Sequence, residues 1–233
     1  MRMRLLTGLL LGGMFSTGGI AALSADPKLV IEVMAVRAEL ARSKAGLRPY
    51  AWTEQTDVLV KGKVHSSSSF ICRYDSAGAI TRMPLGAEKE KDNGNAVSKR
   101  PMVRKQAARQ DDIERAIGRI QTYFPPDPEQ IGYLLRDGYA SLGKSEAGKS
   151  EMKFTHYYED GDSLVFTYDP VSKVLLRVNV SSTLGSPKDP VTMEAVFETT
   201  PDGLNHLSST NLIAKSKKVQ VKSRNSLYQK VAE

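Results

Sequence analysis

Eight consecutive residues, Gly143-Lys144-Ser145-Glu146-Ala147-Gly148-Lys149-Ser150, satisfy the phosphate-loop pattern. In such a loop backbone amides cradle phosphates and the lysine meets the terminal ones. That chemistry needs a buried strand before the loop and a helix after it, because the helix N-terminus faces the anion. Here a helical pattern precedes and a strand pattern follows. The stretch is therefore expected to be a polar connection, and no nucleotide is expected as a partner. The histidines are His65, His156 and His206, and no two share a metal-binding spacing. With Cys72 as the one cysteine there is no zinc cluster, so neither metal nor cofactor is expected. Cys72 lies in Phe70-Ile71-Cys72-Arg73-Tyr74, where a buried structural thiol is expected. No serine sits in a Gly-x-Ser-x-Gly elbow, and Ser66-Ser67-Ser68-Ser69 places small polar groups on both faces of an exposed strand. Glu54 shares a parity with Trp52, Thr56 and Val58 on an apolar face. A buried carboxylate must be paired or neutral, so an arginine partner or an edge position is expected there. Asn179-Val180-Ser181 is a glycosylation sequon, which matters only in a eukaryotic host. No catalytic residue is assigned, and a non-enzyme is expected.

What must position these residues starts with an export signal. Arg2 and Arg4 precede an apolar stretch from Leu5 to Leu23, and Ala21, Ala22, Ser24 and Ala25 precede Asp26-Pro27. A charged start, an apolar middle and a small-residue exit make a secretory signal with cleavage near Ala25. Arg2 and Arg4 leave with it, taking the net charge from +7 to +5. That excess mildly favours anionic partners, lipid head groups included, and is no nucleic-acid signature. Export with one cysteine fits a periplasm better than a disulfide-stapled secretion. Cys72 is far from the signal, so no lipid anchor and no permanent membrane attachment is expected. The remainder, 26–233, is long enough for one domain with a sizeable core.

Leu29, Val33, Val36, Leu40 and Leu47 recur at helical spacing, with Val30 and Met34 widening the apolar face. Asp26 is the expected N-cap, Pro27 the first helical residue and Gly46 the stop. Tyr50–Val60, Val64–Tyr74 and Ala79–Met83 read as hairpin-linked strands, joined by Lys61-Gly62-Lys63 and Asp75-Ser76-Ala77-Gly78. Residues 86–104 have high charge and little to bury, and are expected to form a mobile loop. The basic stretch Lys99–Arg109 is read as a solvated helix start. Helix returns over 105–123 with Ile113, Ile117, Ile120 and Phe124 on one side, and Pro125-Pro126-Asp127-Pro128 ends it. A short amphipathic helix carries Ile131, Leu134 and Leu135. Six further strands are expected: Met152–Glu159, Ser163–Tyr168, Lys173–Ser182, Val191–Thr199, Asn205–Ala214 and Lys218–Lys222. Turn residues separate them, so they form an antiparallel up-and-down sheet with one face buried.

The order of these elements resembles the LolA/LolB group of periplasmic lipoprotein carriers and the lipid-sensing domain of RseB-type regulators. The helix Pro27–Leu47, the strand opening Tyr50-Ala51-Trp52-Thr53 and the closing run Pro201-Asp202-Gly203, Val219-Gln220-Val221 and Tyr228 carry it. The resemblance implies an α+β fold: a strongly curved antiparallel sheet, an incomplete half-barrel, covered by the N-terminal helix and the helical insert. It also implies a concave space for a lipid or acyl chain. The expected cavity-lining residues are Val33, Leu40, Trp52, Val58, Phe70, Phe166, Val178, Met193 and Phe197. The expected function is an exported, periplasmic binding or carrier protein for a hydrophobic small molecule. The alternative is an interaction or sensor module whose curved sheet meets another envelope protein.

Overall fold

The computed structural model describes residues 26–86, 100–145 and 148–231. The signal stretch and the span 87–99 of the expected loop lie outside the described residues. So do the side chains of the basic stretch Lys99–Arg109, whose backbone from Arg100 is already helical.

Helix α1 runs Pro27–Gly46, and the Asp26 carboxylate accepts a hydrogen bond from the Lys28 amide as N-cap. It leads into β1 (Tyr50–Val60), β2 (Lys63–Tyr74) and β3 (Ile80–Pro84). Lys61 and Gly62 both take positive φ in the β1–β2 connection. That geometry is the two-residue turn whose twist suits a hairpin, and glycine adopts it without steric cost. Helix α2 is Arg100–Gln121 and α3 is Pro128–Arg136, which has Asp127 as its N-cap. The remaining strands are β4 (Ala140–Lys144), β5 (Ser150–Thr155), β6 (Ser163–Tyr168), β7 (Leu175–Thr183), β8 (Pro190–Thr199), β9 (Asn205–Ala214) and β10 (Val219–Lys230).

All ten strands form one antiparallel sheet in the order β3-β2-β1-β10-β9-β8-β7-β6-β5-β4. The molecule is thus an α+β half-barrel that does not close. Each neighbour in the sheet is a neighbour in sequence except β1 and β10, which pair from Tyr50 opposite Lys230 to Val60 opposite Val219. The helical insert leaves one edge strand, β3, and returns to the other, β4, so α2 and α3 lie across the sheet against β5, β7 and β8.

The sheet departs from the sequence expectation at both edges of the helical insert and at its last strand. Helix α2 begins at Arg100, inside the span 86–104 expected to be loop. Strand β4 was not expected: Gly143 sits in it and the phosphate-loop pattern straddles its hairpin to β5. The lysine of that pattern, Lys149, is bound to Asp169 at 2.9 Å. Strand β5 ends at Thr155 rather than Glu159, and His156 beyond it has positive φ. Strand β10 continues to Lys230, eight residues past the expected end at Lys222, and absorbs a bulge opposite Trp52 where Leu227 has positive φ.

On the inner face the side chains align in rows across the strands. One row runs Val58, Val221, Leu212, Met193, Val180, Leu164 and Phe154, each opposite the next. All are buried, and Ile113, Ile117 and Ile120 of α2 and Ile131, Leu134 and Leu135 of α3 join the same core. The next row begins with Thr56, Ser223 and Thr210 before becoming Ala195, Val178, Phe166 and Met152. Thr56 and Ser223 share a hydrogen bond of 2.8 Å between their hydroxyls. Polar groups that satisfy each other this way can sit on a buried face at little net cost.

Candidate functional site

Beyond the Thr56 row the inner face stops being solid. A cavity of about 410 Å³ opens between α1 and the sheet. This lies within the roughly 300–1,000 Å³ range of small-molecule sites. Its floor is Phe166, Leu175, Val178 and Phe197 from β6, β7 and β8. Leu40 and Ala41 of α1 form the roof, and Phe124, Pro125 and Pro126 close one side after α2. The remaining wall, from β1 to β3 and β9 to β10, is aromatic and polar: Trp52, Glu54, Tyr74, Arg82, His206 and Tyr228 among others.

Trp52 stacks on Tyr228 with ring centroids 5.4 Å apart and planes 11° from parallel, and it tilts against Tyr74 at the same separation. Offset aromatic contacts of this kind add about 0.5–1.5 kcal/mol beyond burial. Burial raises the phenol pKa of both Tyr74 and Tyr228. Both stay protonated at neutral pH, and the Tyr228 hydroxyl donates to the Leu207 carbonyl at 3.0 Å.

Glu54 has an arginine partner. Arg82 meets it through two parallel bonds of 3.0 Å, with side-chain exposures of 11% and 15%. Burial alone would lower the Arg82 pKa, and the Glu54 carboxylate more than offsets this. The planar fork suits such bidentate pairing. Cys72, opposite both Trp52 and Arg82 in the sheet, is fully buried. Burial, with the Glu54 charge adding to it, pushes its thiol up to about 11, so it stays a packed, unreactive group.

Three buried polar atoms in this wall have no hydrogen-bond partner among the described residues: Trp52 Nε1, Asn205 Oδ1 and Asn225 Oδ1. The amide orientations are fixed, because Asn205 Nδ2 donates to the Leu175 and Glu198 carbonyls and Asn225 Nδ2 to that of Leu207. Orphaned buried donors and acceptors are uncommon in folded proteins. All three residues line the cavity, so its wall is polar beside a hydrocarbon floor.

Helix α1 is fixed over the cavity mostly by polar tethers. Lys173 holds Glu32 at 2.8 and 2.9 Å near its start. Near its end, Arg42 donates to the Gly203 carbonyl and the Asn205 amide donates to Ser43 Oγ, both at 2.9 Å. Gly46 lets the helix end press on the β8–β9 turn, since a Cβ there would come within 2.5 Å of the Leu204 side chain. Its apolar contacts are Leu29 and Val36, which are buried, and Val33 and Leu40, which pack partly buried on the core, while Ile31 and Met34 face solvent. The helix covers the sheet without being deeply embedded in it.

The expected lining residues divide between two places. Leu40, Trp52, Phe166, Val178 and Phe197 line the cavity. Val58 and Met193 stand in the solid core row, and Val33 packs against that core from α1. Phe70 is half-buried opposite Glu54 and does not line the cavity. Sequence reasoning did not single out Arg82, Asn205 or Asn225, and it named Tyr228 as part of the closing run rather than as a lining residue. The histidines stay apart in the chain's chemistry: His206 packs on Tyr228 at 4.0 Å, and His156 meets Asp160. Among the described residues no group of three or more His, Cys, Asp or Glu is placed to hold a metal ion. No helix of the described residues is long and apolar enough to cross a membrane.

No protein-family model matches the chain, and neither does any curated protein sequence. Among solved structures it is similar to a DUF1329 family protein from Desulfovibrio piger, with 10% identity over 88% of this chain and 93% of that one, at a TM-score of 0.41. It is also similar to a domain described as an outer-membrane lipoprotein-sorting protein from Vibrio parahaemolyticus, with 8% identity over 85% and 92%, at 0.36. A third is MucB in complex with MucA(peri), with 10% identity over 86% and 99%, at 0.24. At these identities and TM-scores no function transfers to this chain.

Proposed function

We propose that the chain is an exported, non-enzymatic binding or carrier protein for a lipid or other hydrophobic ligand. The observation that carries this reading is the cavity of about 410 Å³ between α1 and the inner face of the sheet. Its floor is hydrocarbon, and its roof is a helix held mainly by ion pairs and hydrogen bonds at its ends. Such tethers exchange readily with water, and the roof residues Leu40 and Ala41 are not fully buried, so this end of the helix can lift. The signal-like stretch Met1–Ala25 supports a periplasmic or secreted location.

The chain's single tryptophan, Trp52, is in the cavity wall, so occupancy is readable by its emission. Organic extraction of the purified protein, followed by mass spectrometry, is expected to release a lipid in near-stoichiometric amount. Titration of the stripped protein with cetyl alcohol should then shift Trp52 emission saturably. An extract free of lipid together with unchanged emission would count decisively against a carrier. The alternative, a sheet edge presented to an envelope protein, draws on β3, where Met83 and Leu85 lie exposed. In that case pull-down from envelope extract should depend on Met83 and Leu85 and not on Leu40.

A further inference from the structure

The charges lining the cavity do not balance. Arg37, Lys44, Arg48 and Arg82 face Glu54 as the one carboxylate among the described lining residues. Glu54 is already engaged by Arg82. Lys44, in the last turn of α1, and Arg48, four residues on, are thus left side by side at the roof. Burial, and then the neighbouring Arg48, pull the Lys44 pKa down. Both causes oppose the cationic form, and an anion placed between the two would reverse the second of them. Arg48 is exposed and Lys44 half-buried, whereas Phe166, Val178 and Phe197 are buried. Positive charge therefore marks the solvent side of a cavity whose interior is apolar.

We propose that the ligand is an anionic amphiphile, its acyl chain lying over Phe166, Val178 and Phe197 and its carboxylate or phosphate head held by Lys44 and Arg48. This rests on the reading of the cavity as a ligand site. Lysine and arginine donate only, so they match a head made of acceptor oxygens.

The test titrates stripped protein with palmitate, monohexadecyl phosphate, methyl palmitate and cetyl alcohol, each below its aggregation limit and followed by Trp52 emission. At least one anionic ligand is expected to bind about tenfold or more tightly than the neutral pair, a difference of about 1.4 kcal/mol. The tighter of the two anions identifies the head as carboxylate or phosphate. Added salt should weaken the anion's binding and leave that of the neutral ligands unchanged. Lys44→Gln combined with Arg48→Gln should bring the anion down to the neutral level without altering the neutral ligands. Equal binding of all four overturns the anionic head while leaving the cavity reading intact; binding by none overturns both. A variant that loses neutral and anionic ligands alike also overturns the assignment to this cation pair.

Discussion

The two ends of the inner face have the same strands beneath them and different fates above. At the α2–α3 end, apolar rows meet two helices in a shared buried core. Polar groups there are fully committed: Asp162, 2% exposed, accepts hydrogen bonds from Tyr123, Arg119 and the Glu159 amide. Ser182 accepts from Arg119 at 2.8 Å, and its own hydroxyl can donate to the Tyr123 oxygen 3.0 Å away. At the α1 end the wall carries unpartnered Trp52, Asn205 and Asn225 atoms, and surplus cations around a void. Among the described residues, one sheet thus carries a paired polar cluster beside its packed core at one end and unpartnered polar atoms beside a void at the other.

The largest test of this contrast is Asp162→Ala. It takes the carboxylate from the Tyr123 hydroxyl and leaves Arg119 only the exposed Glu159 as an acid partner, at 3.0 Å, and should cost about 3–5 kcal/mol in denaturant unfolding. Next, Met193→Ala in the solid row should cost about 3 kcal/mol, because the packed rows cannot collapse on the hole. Leu40→Ala on the cavity roof should cost about 1 kcal/mol, since Leu40 is only partly buried, while weakening ligand-induced change in Trp52 emission. Equal losses for Met193→Ala and Leu40→Ala would erase the distinction between the ends. Arg82→Met leaves Glu54 without its partner and should cost about 2 kcal/mol, mostly recovered by adding Glu54→Gln. The smallest effect concerns His206, whose pKa burial lowers from its ordinary value of 6.5. The unfolded chain takes up that proton first, so stability from this group is present above pH 6.5 and lost as pH falls toward the lowered value. Melting temperature should drop between pH 7 and 5.5, and His206→Asn should flatten the slope. Glu32 and Glu39 do not contribute there: burial opposes the charge of Glu32, but the Lys173 and Tyr168 hydrogen bonds outweigh it, and the Arg42 bond lowers Glu39. Their linkage lies below the ordinary carboxylate value of 4.5.

Much of the sheet was legible because alternation is a local signal. Val191, Met193, Ala195 and Phe197 point inward as their spacing implies, and all are buried. Strand β4 escaped because Ala140-Ser141-Leu142-Gly143-Lys144 is short, glycine-bearing and exposed at an edge, so pairing with β5 rather than composition makes it a strand. The end of β10 escaped for a different reason. The bulge at Leu227 breaks the parity that joins Val219 and Val221 to the inner face, so Tyr228 reaches the cavity out of phase. Parity did identify Glu54 as the acid needing a partner. Its ligand Arg82 sits two strands away, where only sheet order could place it. Parity also cannot tell a packed row from an empty one: Val58 and Trp52 share a face in β1, yet Val58 belongs to the packed core and Trp52 to the cavity wall.

The pairing of β1 with β10 sets the order in which the site can come into being. Partners such as Val58 and Val221 are separated by nearly the whole domain, so closing this seam is a high-contact-order step. Strands β4 to β9 can form hairpin by hairpin as they emerge, but the cavity wall needs Trp52 against Tyr228. Until Lys230 has emerged, β1 lacks its neighbour in the middle of the sheet and exposes a long unpaired edge. The cavity wall is therefore completed only with the final strand, and losing that strand would split the sheet at the seam.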